Sequence, residues 1–325
     1  MDSLRILVLS NPVTDVLDGD GAGAQLCRER FPGMDWRFRS FGEITEADVL
    51  DADVITGFPR PQWLKGARDL RWLHLQSAGV NGYEKREIYA REDIIVTRAA
   101  GVHAPAMAEH ALGMALSLTR KLPELYTKQQ AGLWQPIHAK KELHDANVLM
   151  LGTGYLASAI TPLVKAFGCR ITGIRRDTGK PLPPNYDRML PPEKLHEALA
   201  EADYIFSTLP FTEKTRHILD RAAFAAVKPG AILVNIGRGG TIDHEALLEA
   251  LEDGRLAGAG LDVTEPEPLP EGHPLWKTPN VIITPHCSAW SEATDKRRYE
   301  VFLRNLDLFL KGEPLPGQID FTAGY

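Results

Sequence analysis

The stretch NVLMLGTGYLASAI, residues 147–160, joins an apolar run, a glycine turn and a helical pattern in one short segment. Gly152 and Gly154 occupy the first two positions of a GxGxxG pattern, and Ala157 occupies the third. The first glycine permits a tight turn, the second lets the backbone approach a pyrophosphate, and the third small residue lets helix and strand pack closely. The pattern alone also suits an ordinary helix start. Because it follows a predicted strand and opens a helix, it indicates a dinucleotide-binding turn.

The next predicted strand, CRITGI, is followed directly by Arg175 and Arg176. Arg175 stands where such turns usually place an acid that binds the ribose 2′-hydroxyl, roughly 20 residues past the glycines. A carboxylate repels a 2′-phosphate, whereas the planar guanidinium matches the phosphate oxygens. The other interpretation is a pair of solvated strand-end charges, and Asp177 nearby would weaken the preference. The sequence therefore predicts NADP(H) as the preferred cofactor, with NAD(H) as the alternative.

Short β-branched runs alternate with helical patterns along the chain, which is typical of βαβ units and a parallel sheet. The predicted strands are RILVLS, DVIT, RWLHLQ and DIIVT, followed by NVLMLG, CRITGI, DYIFSTLP, GAILVNIG, RLAGAGLDV and NVIITPH. Between the two series we expect one long helix from about residue 103 to 131. The proline-rich stretch 180–193 is predicted as a connection, and residues 290–312 as the last helix.

With 325 residues, the chain is too long for one ordinary core. We therefore predict an α/β fold with two doubly wound parallel-sheet domains. Residues 1–99 and 288–325 form a discontinuous, flavodoxin-like substrate-binding domain. Residues 100–287 form an inserted Rossmann domain that binds NAD(P).

The composition, 44% hydrophobic and 25% charged residues, is that of a soluble globular protein. A net charge of −6 is mild and argues against nucleic acid as a partner. The three cysteines are far apart and form no CxxC motif, so we expect neither a disulfide framework nor a metal site, and a cytoplasmic location. No apolar stretch reaches the length of a membrane span.

Three ionisable residues follow predicted strands of the second series: Arg238, Glu267 and His286. Ligands of open α/β sheets bind at the carboxyl ends of the strands. Each residue alone has an ordinary structural explanation, but together they suit the reduction of a 2-keto acid. Histidine donates a proton near neutral pH, a carboxylate beside it favours the imidazolium, and arginine engages the substrate carboxylate and keto oxygen.

The chain resembles the D-isomer-specific 2-hydroxyacid dehydrogenase family over nearly its whole length. Arg175 in place of the usual acid, and less specifically the EPEPLP and HPLW run, resemble the glyoxylate/hydroxypyruvate reductase branch. The motifs that carry the resemblance are SAGVNGYE (77–84), GVHAPAMAEHALGMALSLTRKLPE (101–124), GTGYLA (152–157), NIGRGGTIDHEAL (235–247), LDVTEPEPLPEGHPLW (261–276) and TPHCSAW (284–290).

The resemblance implies Arg238 as the substrate clamp, Glu267 as the partner of the histidine and His286 as the acid/base. It also implies that Asp262 lies near the nicotinamide amide, and that backbone N–H groups around residues 77–79 hold the substrate carboxylate. Members of the family are typically homodimers joined through the nucleotide domain and its long helix, and they close a cleft between their two domains.

The leading hypothesis is an NADPH-dependent reductase that converts small 2-keto acids, glyoxylate or hydroxypyruvate first, to D-2-hydroxy acids. Its expected cofactor contacts are Gly152, Gly154, Tyr155, Leu156, Arg175, Arg176, Leu209, Pro210, Thr215, Ile236, Gly237 and Asp262. Its expected substrate contacts are Ser77, Ala78, Gly79, Arg238 and Trp290.

Two alternatives remain at this level. A dinucleotide-sensing binding protein, similar to the transcriptional corepressors that resemble this family, would bind the cofactor with little turnover. The complete Arg–Glu–His set argues against a purely scaffolding role without excluding it. The other alternative, a reductase with a Tyr/Lys proton relay, is disfavoured because no Tyr-x-x-x-Lys pair is suitably placed in the second domain.

Overall fold

The computed structural model describes residues 3–10, 21–80 and 82–321, so Asn81 of the SAGVNGYE motif lies outside the described residues. The chain divides into two compact units. One unit comprises Met1–His103 and Ser291–Tyr325, and the other comprises Ala104–Trp290. The second unit is therefore an insertion in the first.

The described residues of the first unit form a parallel sheet of five strands. These are β1 (Arg5–Ser10), β2 (Asp35–Ser40), β3 (Val54–Thr56), β4 (Trp72–Leu75) and β5 (Ile95–Arg98). Their order is β2-β1-β3-β4-β5, and every pairing is parallel. The predictions missed β2, because its sequence DWRFRS has no apolar run. An edge strand that is only half-buried needs no such run.

The described residues of the second unit form a parallel sheet of seven strands. These are β6 (Asn147–Leu151), β7 (Arg170–Ile174), β8 (Arg188–Leu190), β9 (Tyr204–Ser207), β10 (Ala231–Asn235), β11 (Leu256–Leu261) and β12 (Val281–Ile283). Their order, β12-β11-β10-β9-β6-β7-β8, is that of a Rossmann sheet extended by one strand. The predicted α/β class with two doubly wound parallel sheets is confirmed.

The stretch 180–193 was wrongly predicted as a plain connection, because it contains β8. β8 pairs with β7 at the sheet edge, where Thr172 lies opposite Arg188 and Ile174 opposite Leu190. All its residues are half-exposed. An edge strand next to prolines lacks the apolar signal of a central strand, so the local pattern concealed it.

The helices of the described residues are α1 (Ala22–Arg30), α2 (Glu46–Leu50), α3 (Pro61–Leu64), α4 (Ala104–Thr119), α5 (Leu122–Gln130), α6 (Tyr155–Lys165), α7 (Leu195–Glu201), α8 (Arg221–Ala226), α9 (His244–Glu252) and α10 (Glu292–Lys311). The predicted single helix from about 103 to 131 is wrong, since it is divided into α4 and α5. Lys121 between them has a left-handed backbone with φ of 57°. Pro123 in the first turn of α5 has no N–H with which to continue α4.

Both sheets are covered by hydrophobic clusters. In the second unit, Leu149 and Ile205 face α7, α8 and α9, whereas their neighbours Val148 and Phe206 face α4 and α6. This alternation follows the two-residue period of a strand. In the first unit, α10 packs Phe302 and other apolar side chains onto β1 and β4. None of the described helices combines the length and apolarity that a membrane crossing requires.

Candidate active site at the carboxyl edge of the second sheet

Arg238, Glu267 and His286 lie in the segments that follow three neighbouring strands. β10, β11 and β12 are adjacent and parallel, so their carboxyl ends share one edge of the sheet. The fold thus places the three predicted residues along this edge of the second unit.

His286 and Glu267 are in direct contact. The imidazole Nδ1 lies 2.9 Å from Glu267 Oε2. An ionised carboxylate can only accept, so Nδ1 carries the proton of this bond. In the described part of the chain, the other nitrogen, Nε2, has no hydrogen-bond partner, and 48% of the side chain is exposed. The pair therefore presents an oriented imidazole whose Nε2 is available to a ligand.

The Glu267 carboxylate is held through both oxygens, because Oε1 accepts a hydrogen bond from the Thr264 backbone N–H at 3.1 Å. The preceding Glu265 carboxylate lies 2.9 Å from His217 Nε2. The peptide bonds Glu265–Pro266 and Glu267–Pro268 are both cis. The hydrogen bonds of Glu267 with the Thr264 N–H and of Glu265 with His217 thus hold the loop that carries the carboxylate.

Arg238 is half-buried, and its Nη1 donates to the Gly237 carbonyl at 2.8 Å. Burial lowers the pKa of this guanidinium, and the nearby Glu267 charge opposes that decrease. No carboxylate of the described residues forms an ion pair with Arg238 within 4.0 Å. A half-buried cation without such a partner is suited to an anionic ligand.

The glycines after Arg238 bring its loop against the Glu267 loop. A Cβ on Gly239 would lie 1.9 Å from the Thr264 carbonyl oxygen, and one on Gly240 would lie 2.6 Å from the Phe211 ring. Only a residue without a side chain allows the backbones to approach this closely. The GRGG sequence therefore has a packing role next to the pair.

Gly239→Ala is expected to destabilise the protein by about 1–3 kcal/mol, because the new methyl group must displace backbone rather than a flexible side chain. The matched control is Gly113→Ala in α4, where a Cβ meets nothing within 4 Å and alanine favours the helix. Urea unfolding of both variants measures the difference. Equal stabilities of the two variants would contradict the packing role.

Asp262 forms a network that the sequence interpretation missed. The residue is 1% exposed, and its Oδ1 accepts hydrogen bonds from Thr284 Oγ1 at 2.6 Å and from the Cys287 N–H at 3.0 Å. Its backbone carbonyl accepts from the His286 N–H at 2.9 Å. His286 has a left-handed φ of 51°, an uncommon conformation for a residue other than glycine. Asp262 thus holds the turn that carries the imidazole.

His110 of α4 extends this network. Its Nε2 lies 3.0 Å from Thr284 Oγ1 and 3.8 Å from Asp262 Oδ1. Since the threonine hydroxyl donates to Asp262, the imidazole donates to the threonine. The available sequence signal was a histidine next to Glu109 in a mostly apolar helix, which periodicity alone does not connect with a distant strand end.

The glycine turn between β6 and α6 has the backbone shape that a dinucleotide requires. Gly152 has φ of +91°, and a Cβ there would lie 2.8 Å from Thr208 Oγ1. A Cβ on Gly154 would enter open space, directly before the first residue of α6. Ala157 is fully buried, as close packing of the helix requires. The turn therefore leaves a free approach to the N-terminus of α6, and these residues fit a bound pyrophosphate.

Arg175 follows β7 and folds over the next loop. Its Nη2 donates to the Lys180 carbonyl and, at 3.1 Å, to the Pro181 carbonyl. Its Nε is buried and has no hydrogen-bond partner in the described part of the chain. Arg176 is exposed beside it, and the Asp177 carboxylate lies 3.6 Å from Lys180 Nζ. The guanidinium of Arg175 is therefore anchored on the following loop, and a lysine lies beside the nearby acid.

The other expected cofactor contacts differ in exposure. Tyr155 is 66% exposed at the start of α6, whereas the Ile236 side chain is in the core at 1%. The Thr215 hydroxyl donates to the Pro210 carbonyl at 2.7 Å and so shapes that loop. Leu156 and Leu209 are half-buried, and Pro210 is exposed. Gly237 is buried, and the Leu209 backbone leaves no space there for a Cβ. Ile236 is thus suited to contact a ligand through its backbone and not through its side chain.

Two further segments were predicted to contact the substrate. Trp290 is 69% exposed and ends the second unit, with its N–H bonded to the Cys287 carbonyl at 3.0 Å. Residues 77–79 follow β4 in the first unit and are half-buried. Within the residues described, no group of three or more His, Cys, Asp or Glu side chains is arranged to hold a metal ion.

A Rossmann sheet with a glycine turn that fits a dinucleotide and an imidazole–carboxylate pair at its carboxyl edge is typical of nicotinamide-dependent oxidoreductases. The family model described as D-isomer specific 2-hydroxyacid dehydrogenase, NAD binding domain, matches residues 112–288. The chain belongs to this family and is an NAD(P)-dependent 2-hydroxyacid dehydrogenase or reductase.

Similar proteins support this assignment. The chain is 32% identical to a glyoxylate reductase of Korarchaeum cryptofilum, covering 84% of this chain and 80% of that protein. It is 37% identical to a hydroxypyruvate reductase of Thermotoga maritima, covering 80% and 83%. A crystal structure of a D-isomer specific 2-hydroxyacid dehydrogenase family protein from Aeromonas salmonicida is 34% identical, with a TM-score of 0.84, covering 98% and 100%.

Proposed function

We propose that this protein is an NADPH-preferring reductase that converts small 2-keto acids of the glyoxylate and hydroxypyruvate type to D-2-hydroxy acids. The observation that carries the proposal is the His286–Glu267 pair, with Nε2 available, on the same sheet edge as Arg238. The names of the similar glyoxylate and hydroxypyruvate reductases support this substrate class. Turnover of a panel of 2-keto acids with NADPH and NADH tests the proposal.

Each side chain has one task in the reaction. Arg238 binds the anionic substrate and orients its keto group. His286 donates a proton from Nε2 to the keto oxygen, and Glu267 stabilises the imidazolium before this transfer and keeps the ring oriented. The bound nicotinamide coenzyme supplies the hydride to the keto carbon. The keto group thereby gains one hydride and one proton and becomes the alcohol.

The loop Ser77, Ala78 and Gly79 is the proposed site for the substrate carboxylate. In the described part of the chain, the N–H groups of these three residues donate to no acceptor. Successive backbone N–H groups without partners form an anion-binding concavity. The carboxylate of a 2-keto acid fits such a loop.

The coenzyme preference rests on Arg175, which directly follows β7 and whose partly exposed guanidinium is anchored on the Lys180 and Pro181 carbonyls. Arg175→Asp is expected to lower the NADPH/NADH ratio of kcat/KM by about 10- to 100-fold, because a charge-assisted bond is lost and repulsion replaces it. Initial rates with each coenzyme give the ratio.

The matched control for this variant is Arg170→Asp at the opposite end of β7. Arg170 is exposed, and its Nε donates to the Asn147 side chain at 3.0 Å. This variant adds the same charge to the same strand and should leave the ratio unchanged. An unchanged ratio in Arg175→Asp itself would refute the assignment.

A homodimer joined through the second unit is part of the proposal. Four large apolar side chains on and after α5 are exposed, namely Leu122 at 49%, Tyr126 at 61%, Leu133 at 48% and Trp134 at 100%. Such a group left in water usually marks an interface. Sedimentation should give twice the chain mass of 35.9 kDa, and Tyr126→Glu with Trp134→Glu should give the monomer. A wild-type protein that sediments as a monomer would contradict this.

The cytoplasm is the proposed location. Cys27, Cys169 and Cys287 are all free thiols in the structure. Unpaired cysteines in a protein of this size suit a reducing compartment.

A further inference from the structure

The carbonyl groups of the loop 77–79 are all engaged, in contrast to its N–H groups. The Ser77 carbonyl accepts from the Ala99 N–H at 3.0 Å, and the Gly79 carbonyl accepts from the Ser77 hydroxyl at 2.5 Å. The Ala78 carbonyl accepts from Arg98 Nη1 at 3.1 Å. Each carbonyl is thus turned toward a protein donor, which leaves the N–H side of the loop for a ligand.

Among the three donors to these carbonyls, Arg98 is the one that reaches the loop with a side chain from a distant part of the sequence. Its own backbone is held firmly. It ends β5, opposite Leu75 at the end of β4. Its N–H donates to the Gly317 carbonyl at 2.9 Å. A Cβ on Gly317 would lie 2.7 Å from the Arg98 carbonyl oxygen, so only glycine permits this approach. The guanidinium therefore extends from a fixed point.

The charge of Arg98 has no counterion close by. Among the described residues, no carboxylate lies within 4.0 Å of this guanidinium, although other arginines of the same unit form such pairs, for example Arg5 with Asp53. The side chain is half-buried, and Nε is buried without a hydrogen-bond partner in the described residues. An uncompensated cation next to unpaired N–H groups attracts an anion.

We propose that Arg98 is a positioning residue for the substrate carboxylate, since it holds the Ala78 carbonyl away from the ligand and lends positive charge to the loop. This inference rests on the proposed function of the loop. Arg98 acts through the backbone of residues 77–79 and takes no part in the transfer of the proton or the hydride.

Three substitutions separate the hydrogen bond from the charge. Arg98→Met removes both, Arg98→Gln keeps a donor without charge, and Arg98→Lys keeps the charge with a single donor group. For Arg98→Met we expect the KM for glyoxylate to rise about 10- to 100-fold. We expect smaller increases for the other two variants, with kcat within about 3-fold and the KM for NADPH unchanged.

Arg68→Met is the matched control, because Arg68 is an exposed arginine of the same unit. It should leave every constant unchanged. Thermal unfolding of all variants shows whether the fold persists. A merely structural role would lower stability and kcat together, and neither Arg98→Lys nor Arg98→Gln would restore the KM.

A binding measurement without turnover keeps this inference distinct from the proposed function. Oxalate serves as the probe in calorimetric titrations of the wild type and of Arg98→Met, both saturated with NADPH. A weaker oxalate affinity in the variant, by the same factor as the KM, supports the inference. An unchanged affinity overturns it even if the wild type reduces glyoxylate. If the wild type reduces no 2-keto acid, the proposed function fails, and the oxalate affinities still decide the role of Arg98.

Discussion

His286→Asn is expected to lower kcat for glyoxylate by about 100- to 10,000-fold, the range that a general acid contributes. Asparagine places an N–H close to the position of Nδ1, so it retains a donor for Glu267, while it removes Nε2 altogether. The affinity for NADPH should stay within about 2-fold of the wild type, because the glycine turn and Arg175 are unchanged. Steady-state rates and a fluorescence titration of the coenzyme measure the two quantities.

The control for this variant is His196→Asn. His196 is exposed on α7, which follows β8 at the opposite end of the strand order from β10, β11 and β12, and its loss should leave turnover unchanged. Turnover of His286→Asn close to that of the wild type would remove His286 from the acid/base role.

Arg238→Met is expected to lower kcat/KM for the keto acid on the order of 100- to 1,000-fold, as the loss of one preorganised donor to a developing oxyanion does. The guanidinium is half-buried without an ion-pair partner among the described residues, so its charge is available to the substrate. Arg238→Lys should recover part of the loss, because lysine keeps the charge but lacks the planar fork.

The loss of kcat/KM in Arg238→Met should result from the lost contact with the substrate and not from the removal of an arginine as such. Arg221→Met is a suitable control, since Arg221 is exposed and pairs with Glu249 on the surface, where such pairs contribute little. If Arg238→Met and Arg221→Met had equal kcat/KM values, the clamp role of Arg238 would be wrong.

The sequence predicted the parts of this molecule that local patterns encode. Apolar runs located all the central strands, and the glycine turn located the start of α6. Because parallel strands end at one edge, the positions of Arg238, Glu267 and His286 after β10, β11 and β12 were enough to expect them on the same side. The direct contact of Glu267 with His286 agrees with that expectation.

Features that depend on distant neighbours could not be predicted. The edge strands β2 and β8 obtain their conformation by pairing with a neighbour rather than from an apolar run. The division between α4 and α5 depends on the left-handed backbone of Lys121, which the strongly helical pattern around it concealed.

The same limit applies to the supporting polar groups. His110 and Thr284 are 174 residues apart in sequence, yet their side chains form a hydrogen bond that helps to hold Asp262. Arg98 reaches the Ala78 carbonyl from another strand. Such contacts follow from the three-dimensional arrangement of the strands, for which a single sequence carries no local signal.

With the His286–Glu267 pair as acid/base and Arg238 as substrate clamp, the protein is expected to reduce a 2-keto acid with NADPH as the reductant. The most direct measurement follows the near-ultraviolet absorbance of NADPH while the purified protein is mixed with glyoxylate or hydroxypyruvate. We expect steady NADPH consumption, formation of the D-alcohol from hydroxypyruvate, and a slower reaction with NADH. Tight NADPH binding without consumption, for every 2-keto acid offered, would rule out the reductase and would instead indicate a dinucleotide-sensing protein.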